Sequence, residues 1–357
     1  MRWLRAGLLV LPALGVAGCV AALAGGLPAG LAPAGTDPAV GGAGLVRVLP
    51  ASDRVLNGPR LAKVNSLVGG RGALWLTGGT ARQNHVLYAI DPATGRIEDT
   101  TTLPSRLVIN PGDLATGAGA VWVAVGASLY RIVPGRSGRA VARPFATLRH
   151  GGLIGDVVCG SGSVWVDDTT HGIVYRYPAR VSTATAAQPD AAIAIGHAAG
   201  AMTIGDGGVW VADPDARTVS RISPDRDRVD AVVTTPSPAT HLTTARHSLW
   251  VTDGTARVTV VRIHGHTRTV PVGGEPTGLA IGAGSVWVAS TWAGTLTRID
   301  PARDAVLATI PVGERPYAVA AGPRAVWVAT LGQPVMNHTP AHESASSTLR
   351  WLLPLCR

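Results

Sequence analysis

The chain is poor in charge, poor in cysteine and nearly devoid of lysine. Charged residues make up 15% of its 357 positions while 46% are hydrophobic, which excludes global disorder. Cys159 and Cys356 stand far apart, Cys19 lies near the N-terminus, and no C-x-x-C occurs. A disulfide framework is therefore excluded. Lys63 is the sole lysine, so the net charge of +9 is carried by arginine. No run of five or more basic residues occurs, and a nucleic-acid footprint needs such clustering. Also missing are G-x-S-x-G, H-E-x-x-H and a phosphate-loop sequence. The familiar nucleophile, zinc-protease and phosphate-cradling signatures are thereby excluded.

What the chain has is repetition. ALWLT (73–77), AVWVA (120–124), SVWVD (163–167), GVWVA (208–212), SLWVT (248–252), SVWVA (285–289) and AVWVA (325–329) share one pattern. Their tryptophans, Trp75, Trp122, Trp165, Trp210, Trp250, Trp287 and Trp327, recur every 37–47 residues with a mean of 42. One four-stranded propeller blade consumes about that length. A second phrase keeps the same period: LYAIDP at 87–92, LYRIVP at 129–134, VYRYP at 174–178, VSRISP at 219–224, VVRIHG at 260–265 and LTRIDP at 296–301. In the clearest unit, 276–313, strands are expected at 279–281, 285–289, 296–299 and 305–312. Short runs rich in Val, Ile and Thr between turn residues argue strand rather than helix. Hydrophobes alternate with each tryptophan, so both faces of that strand are apolar and the ring reads as core between neighbouring blades. Cys159 falls in an expected inner strand, as a small buried hydrophobe.

Seven inner strands need a closed circle, because an open array exposes two sheet edges. LVRVLP at 45–50 copies the third-strand phrase and 53–58 suits an outer strand. Together they are expected to complete the blade begun by 317–329. STLRWLLP at 347–354 competes for that place. The expected fold is all-β: a seven-bladed β-propeller of four-stranded antiparallel blades, closed by an N-terminal strap, over 45–330. Arg2 and Arg5 precede an uncharged apolar stretch, the layout of a secretory signal over 1–19. Val16-Ala17-Gly18-Cys19 resembles a bacterial lipoprotein box, with Cys19 the lipidated residue; the alternatives are ordinary cleavage after a small residue, or retention as a membrane anchor. Residues 20–44 read as a flexible Ala/Gly/Pro tether, and 331–357 as a tail that contributes at most one strand.

Propellers bind ligands around the central tunnel. Nine residues before each tryptophan stand Ser66, Asp113, Asp156, Ala201, His241, Gly278 and Ala318. Repeat equivalence places them at similar depth on one rim. Asp113, Asp156 and His241 suit a hard metal or a cationic ligand; alternatively they bond loop backbone at strand starts. Three residues after each tryptophan, blades 3 to 5 carry Asp168, Asp213 and Asp253. Asp there opens a turn by bonding backbone, or joins its neighbours in holding a divalent cation. His264 and His266 read as exposed turn residues, and Asp225, Asp227 and Asp230 match a calcium loop only faintly.

The phrase P-x-G-L-A-I-G-A-G-S-V-W-V-A-S, followed by L-T-R-I-D-P and I-P-V-G, resembles the secreted bacterial YVTN or YncE-like repeat propellers. It is also similar to the virginiamycin B (streptogramin B) lyases. The resemblance covers roughly 45–330. The first group implies binding or scaffolding without a reaction. The lyases imply Mg²⁺-assisted elimination with a His base, for which His241 is the candidate; their repeats commonly carry Glu where this chain has Asp168, Asp213 and Asp253. Two readings follow. The first is a non-catalytic, monomeric binding or scaffolding propeller. It is held by its lipid at the outer face of the cytoplasmic membrane, or secreted. Its rim would take a small molecule, a cell-envelope polymer or a protein, and no cofactor. The alternative is a Mg²⁺- or Ca²⁺-dependent lyase or lactonase-like enzyme.

Overall fold

The computed structural model describes residues 44–61, 63–79, 86–103, 114–134, 139–180, 186–196, 199–253, 255–262, 267–313 and 315–331. Cys19, Asp113, His264, His266, Cys356 and the competing strand at 347–354 lie outside them.

The described chain forms seven four-stranded antiparallel sheets, each a blade. The first strands of blades 1 to 7 are Lys63–Gly70, Leu114–Gly117, Val157–Gly160, Met202–Gly205, His241–Ala245, Pro276–Gly282 and Pro316–Ala321. Each packs against the next around the axis, and the last meets the first, so the ring is closed. In blade 6 the strands are Pro276–Gly282, Ser285–Ser290, Thr295–Asp300 and Ala305–Pro311, within three residues of each expected bound. Blade 7 is completed from the far end of the chain. Gly44–Leu49 pairs with Val326–Thr330 and carries Arg54–Arg60 on its outer side. Arg47 stands opposite Trp327. The N-terminal strap thus supplies the third and fourth strands of that blade.

Alternation along the second strand explains the repeated phrase. The tryptophan points toward the following blade and its two flanking hydrophobes toward the preceding one. One cluster holds Trp165 of blade 3 with Val209 and Val211 of blade 4. The next holds Trp210 with Leu249 and Val251, and the next Trp250 with Val286 and Val288. Closure repeats the pattern, with Trp327 of blade 7 against Leu74 and Leu76 of blade 1. Burying an aromatic ring of this size removes about 150–250 Å² from water, the largest single apolar contribution each junction receives.

Two further contacts fix the rings. The residue five before the tryptophan is glycine in blades 1 to 4, and its carbonyl accepts the indole N–H at 3.1, 3.2 and 3.2 Å in Trp75, Trp122 and Trp210. Trp287 makes the same bond to Gly282 at 3.0 Å. The same glycines let neighbouring inner strands meet: a Cβ on Gly117 would lie 2.6 Å from Cys159 Sγ, and one on Gly282 2.6 Å from the Ala321 backbone. Cys159 is accordingly half-buried against the junction of blades 2 and 3.

The second contact comes from the third strand. Arg131, Arg176, Arg298 and Arg47 lie 5.4–5.9 Å above the rings of Trp122, Trp165, Trp287 and Trp327, a cation–π geometry. Three of them reach into the next blade. Arg176 donates to the Pro224 carbonyl at 3.0 Å, Arg298 to Pro50 at 2.7 Å, and Arg47 to Ala93. Blade 1 has Ala89 opposite Trp75, which is half-buried, whereas Trp250, opposite Val260, is fully buried without a guanidinium cover.

Trp287→Ala is expected to lower the unfolding free energy by about 3–5 kcal/mol, read from denaturant titration; a loss under about 1 kcal/mol would contradict a packed ring. Tyr177 gives a pH signature. It lies between blades 2 and 3, edge-on to Phe145 at 6.1 Å. Burial, and then Tyr175, push its phenol from the ordinary 10.0 up to about 12. The folded state therefore favours the neutral phenol. This contribution is complete below pH 10 and is lost as pH rises through about 12. Unfolding free energy should fall across that window, and less steeply in Tyr177→Phe.

Candidate functional site

At the end of the tunnel where the first strands begin, a cavity of about 370 Å³ opens to solvent. Six of the seven residues that stand nine before a tryptophan line it: Ser66, Asp156, Ala201, His241, Gly278 and Ala318. Their convergence follows from the blades being copies: equal distance from a fixed ring means equal height on the axis. Asn65, Thr240, Thr277 and Tyr317 share the lining with aliphatic residues such as Leu67, Leu242 and Leu279, so the wall mixes neutral hydrogen-bonding groups with apolar ones.

The carboxylates here accept backbone N–H groups. Asp156 Oδ1 accepts the Val157 N–H at 2.6 Å, and Oδ2 accepts Met202 N–H of blade 4 at 2.6 Å. Behind it, fully buried Asp167 accepts the N–H groups of Gly155 at 2.8 Å and Asp156 at 2.6 Å. The two carboxylates form a relay that stitches the second strand of blade 3 to the loop before its first strand, and onward to blade 4. His241 Nδ1 lies 3.4 Å from the Thr252 hydroxyl, which is itself 2.9 Å from the Thr240 hydroxyl.

Asp168, Asp213 and Asp253 do not line this cavity. Asp168 Oδ1 accepts the N–H groups of Thr170 at 3.1 Å and His171 at 3.2 Å, and Oδ2 lies 2.9 Å from His171 Nδ1. Asp213 accepts the Ala216 N–H at 2.9 Å. Asp253 accepts the Thr255 N–H at 3.0 Å and its hydroxyl at 2.5 Å. Each bonds within its own turn, the arrangement an Asp at a strand end adopts. Asp227, in the turn before Arg228–Thr234, pairs with Arg176 of blade 3 at 3.1 Å, and Asp230 pairs with Arg221 of its own blade at 2.6 Å. Among the described residues no three His, Cys, Asp or Glu side chains converge as a cation would need. The described carboxylates at the tunnel mouth, Asp156 and Asp167, are each bonded to backbone N–H groups, and Asp113, the other acidic rim candidate, lies outside the described residues.

Two functional features escape sequence reasoning. Asp167 sits two after Trp165, a position held by Ala124, Ala212, Ala289 and Ala329 in four other blades. A charge where the repeats place a small apolar residue was the available signal. The other is Trp292, outside the repeated phrase and 70% exposed. Its indole N–H donates to Glu275, and the Arg315 guanidinium lies 5.8 Å from its ring centroid. Glu275 directly precedes the first strand of blade 6 and Arg315 that of blade 7, so this group stands on the same face as the cavity. Its signal was an extra tryptophan five residues after Trp287.

A chain of the crystal structure of a mitotic checkpoint complex matches this fold with a TM-score of 0.61 at 12% identity, over 87% of this chain and 98% of that one. In all, 1204 solved chains match, so the architecture is widely shared and assigns no activity by itself. No family model and no curated protein matches the sequence.

Asp156→Ala should lower the unfolding free energy by about 1.5–3 kcal/mol, the scale of a charge-assisted bond. Asp156→Asn, which keeps one acceptor oxygen, should cost less. An unchanged denaturation midpoint in both would show the relay to be energetically idle.

Proposed function

We propose that the protein is a non-catalytic binding module that holds a component of the cell envelope at the tunnel mouth. One observation carries this reading. The mouth is a preformed cavity in which Asp156 accepts the N–H groups of Val157 and of Met202 in the next blade, and Asp167 those of Gly155 and Asp156, so neutral hydrogen-bonding and aliphatic groups make up most of the wall. Such a wall suits recognition, because small polar groups orient a ligand at little desolvation cost. A general acid or base needs a proton-accepting group aimed into the cavity; both carboxylate oxygens of Asp156 accept backbone N–H groups, and the His241 ring of the lining lies 3.4 Å from the Thr252 hydroxyl.

Two features of the sequence support the location. The n-region with Arg2 and Arg5, followed by an apolar stretch ending in Val16-Ala17-Gly18-Cys19, suits export and lipidation at Cys19. The repeat phrase resembles that of the YVTN or YncE-like propellers, which implies a binding or scaffolding role. A lipidated chain with a 20–44 tether would present its mouth to the surrounding envelope.

The test uses the Cys19→Ser chain, which carries no lipid, mixed with isolated bacterial cell envelopes and sedimented. Saturable co-sedimentation is expected. It should fall at least about fivefold when Ala201→Trp fills the mouth, with the thermal midpoint confirming that this variant folds. Equal sedimentation of both chains would refute the assignment of binding to the mouth.

A further inference from the structure

The group around Trp292 carries an inference that rests on the binding reading above and deepens it. Trp292 is 70% exposed, whereas most of the described tryptophans are wholly enclosed. The loop that bears it is firmly built. Thr291 is buried; its hydroxyl donates to the Pro316 carbonyl at 2.8 Å and lies 2.6 Å from the Thr277 hydroxyl, and its N–H donates to Glu275 at 2.8 Å. Flanking turns close on it from both sides: a Cβ on Gly274 would lie 2.8 Å from Ala293, and one on Gly294 2.8 Å from the Gly313 carbonyl. The indole edge is held by Glu275 and the ring is met by Arg315. This is a preorganised aromatic platform, and little ordering cost remains for a ligand that covers it.

We propose that Trp292, Glu275 and Arg315 form a subsite for an uncharged saccharide ring at the edge of the tunnel mouth. The charges select the class. A carboxylate beside an exposed indole would favour a cation, but Arg315 already occupies the ring and repels one. A guanidinium would favour an anion, but Glu275 stands across the same ring. The pair cancels and leaves planar donor and acceptor groups at the rim of an apolar surface. A sugar ring matches that layout, with a C–H face to cover the indole and hydroxyls around its edge for Glu275 and Arg315. The wall beyond continues the match: Thr277 and Tyr317 of the cavity lie two residues from Glu275 and Arg315, and Asn65, Ser66 and Thr240 add neutral hydrogen-bonding groups. A chain of sugars could run from the platform into the mouth.

The test titrates the full chain with two neutral probes, chitohexaose and cellohexaose, and with a polyproline decamer, by calorimetry and indole fluorescence. Saturable binding of at least one oligosaccharide is expected, weakened about tenfold or more in Trp292→Ala, partly retained in Trp292→Tyr, and nearly insensitive to raising salt because the ligand is uncharged. Trp292 is exposed, so both variants should keep the parent thermal midpoint. Absence of oligosaccharide binding, equal affinity in Trp292→Ala, or Trp292-dependent binding of polyproline alone would each overturn the proposal. Envelope sedimentation separates the two claims. If Trp292→Ala still sediments while Ala201→Trp does not, the saccharide subsite is wrong and the mouth reading stands; if both still sediment, both fail.

Discussion

Each blade of this propeller is finished by its neighbour. A single strand offers two faces, and the repeated phrase assigns them opposite duties. Trp165 leaves blade 3 to fill the junction with blade 4, where Val209 and Val211 receive it. A lone blade would leave its ring on one side and its aliphatic pair on the other in water. The sheets therefore have no stable arrangement short of the full circle, as in other repeat folds whose units cannot bury their apolar faces alone. Arginine covers on four rings and glycine carbonyls under four indole N–H groups add to this constraint, while Trp250, opposite Val260, is enclosed by packing; because the blades are copies, the seven first strands begin at matched depth.

Matched depth is what creates the mouth. The residues nine before each tryptophan come from distant parts of the chain and meet in one cavity because their blades repeat. The mouth is not symmetric, however. Blade 3 contributes the buried relay of Asp167 and Asp156, which grips blade 4 through Met202 N–H. Blades 6 and 7 contribute threonine hydroxyls, Tyr317 and the exposed Trp292. Both sides of the rim bond blade to blade, Asp156 across blades 3 and 4 and Thr291 across blades 6 and 7, but only the second carries an exposed tryptophan.

Much of the architecture was legible in the sequence because it depends on period and alternation, which a linear text preserves. The tryptophan phrase, the strand bounds of blade 6, and the strap at 45–50 opposite 325–329 all follow from counting. What was not legible depends on direction in space. The arginine of the third-strand phrase stands beside tryptophan only once the strands pair, as Trp287 and Arg298 do. Whether a carboxylate such as Asp156 faces the cavity or a backbone N–H cannot be counted from a neighbour. Asp168, Asp213 and Asp253 share a repeat position, yet each folds into its own turn, since a short side chain at a strand end finds local N–H groups before distant partners. Trp292 falls outside the repeat and is invisible to any method that averages over copies.

The strap has a temporal consequence. Of the described strands, synthesis delivers Gly44–Leu49 first, yet its inner partner Val326–Thr330 arrives last among them. For the whole interval in which the chain is made or exported, the opening hairpin has one unsatisfied ladder of N–H and carbonyl groups and no place to dock it. Arrival of the final strand converts that vulnerable edge into the seal, so a nascent molecule cut short anywhere before residue 330 would remain an unclosed, adhesive arc rather than a smaller version of the finished protein.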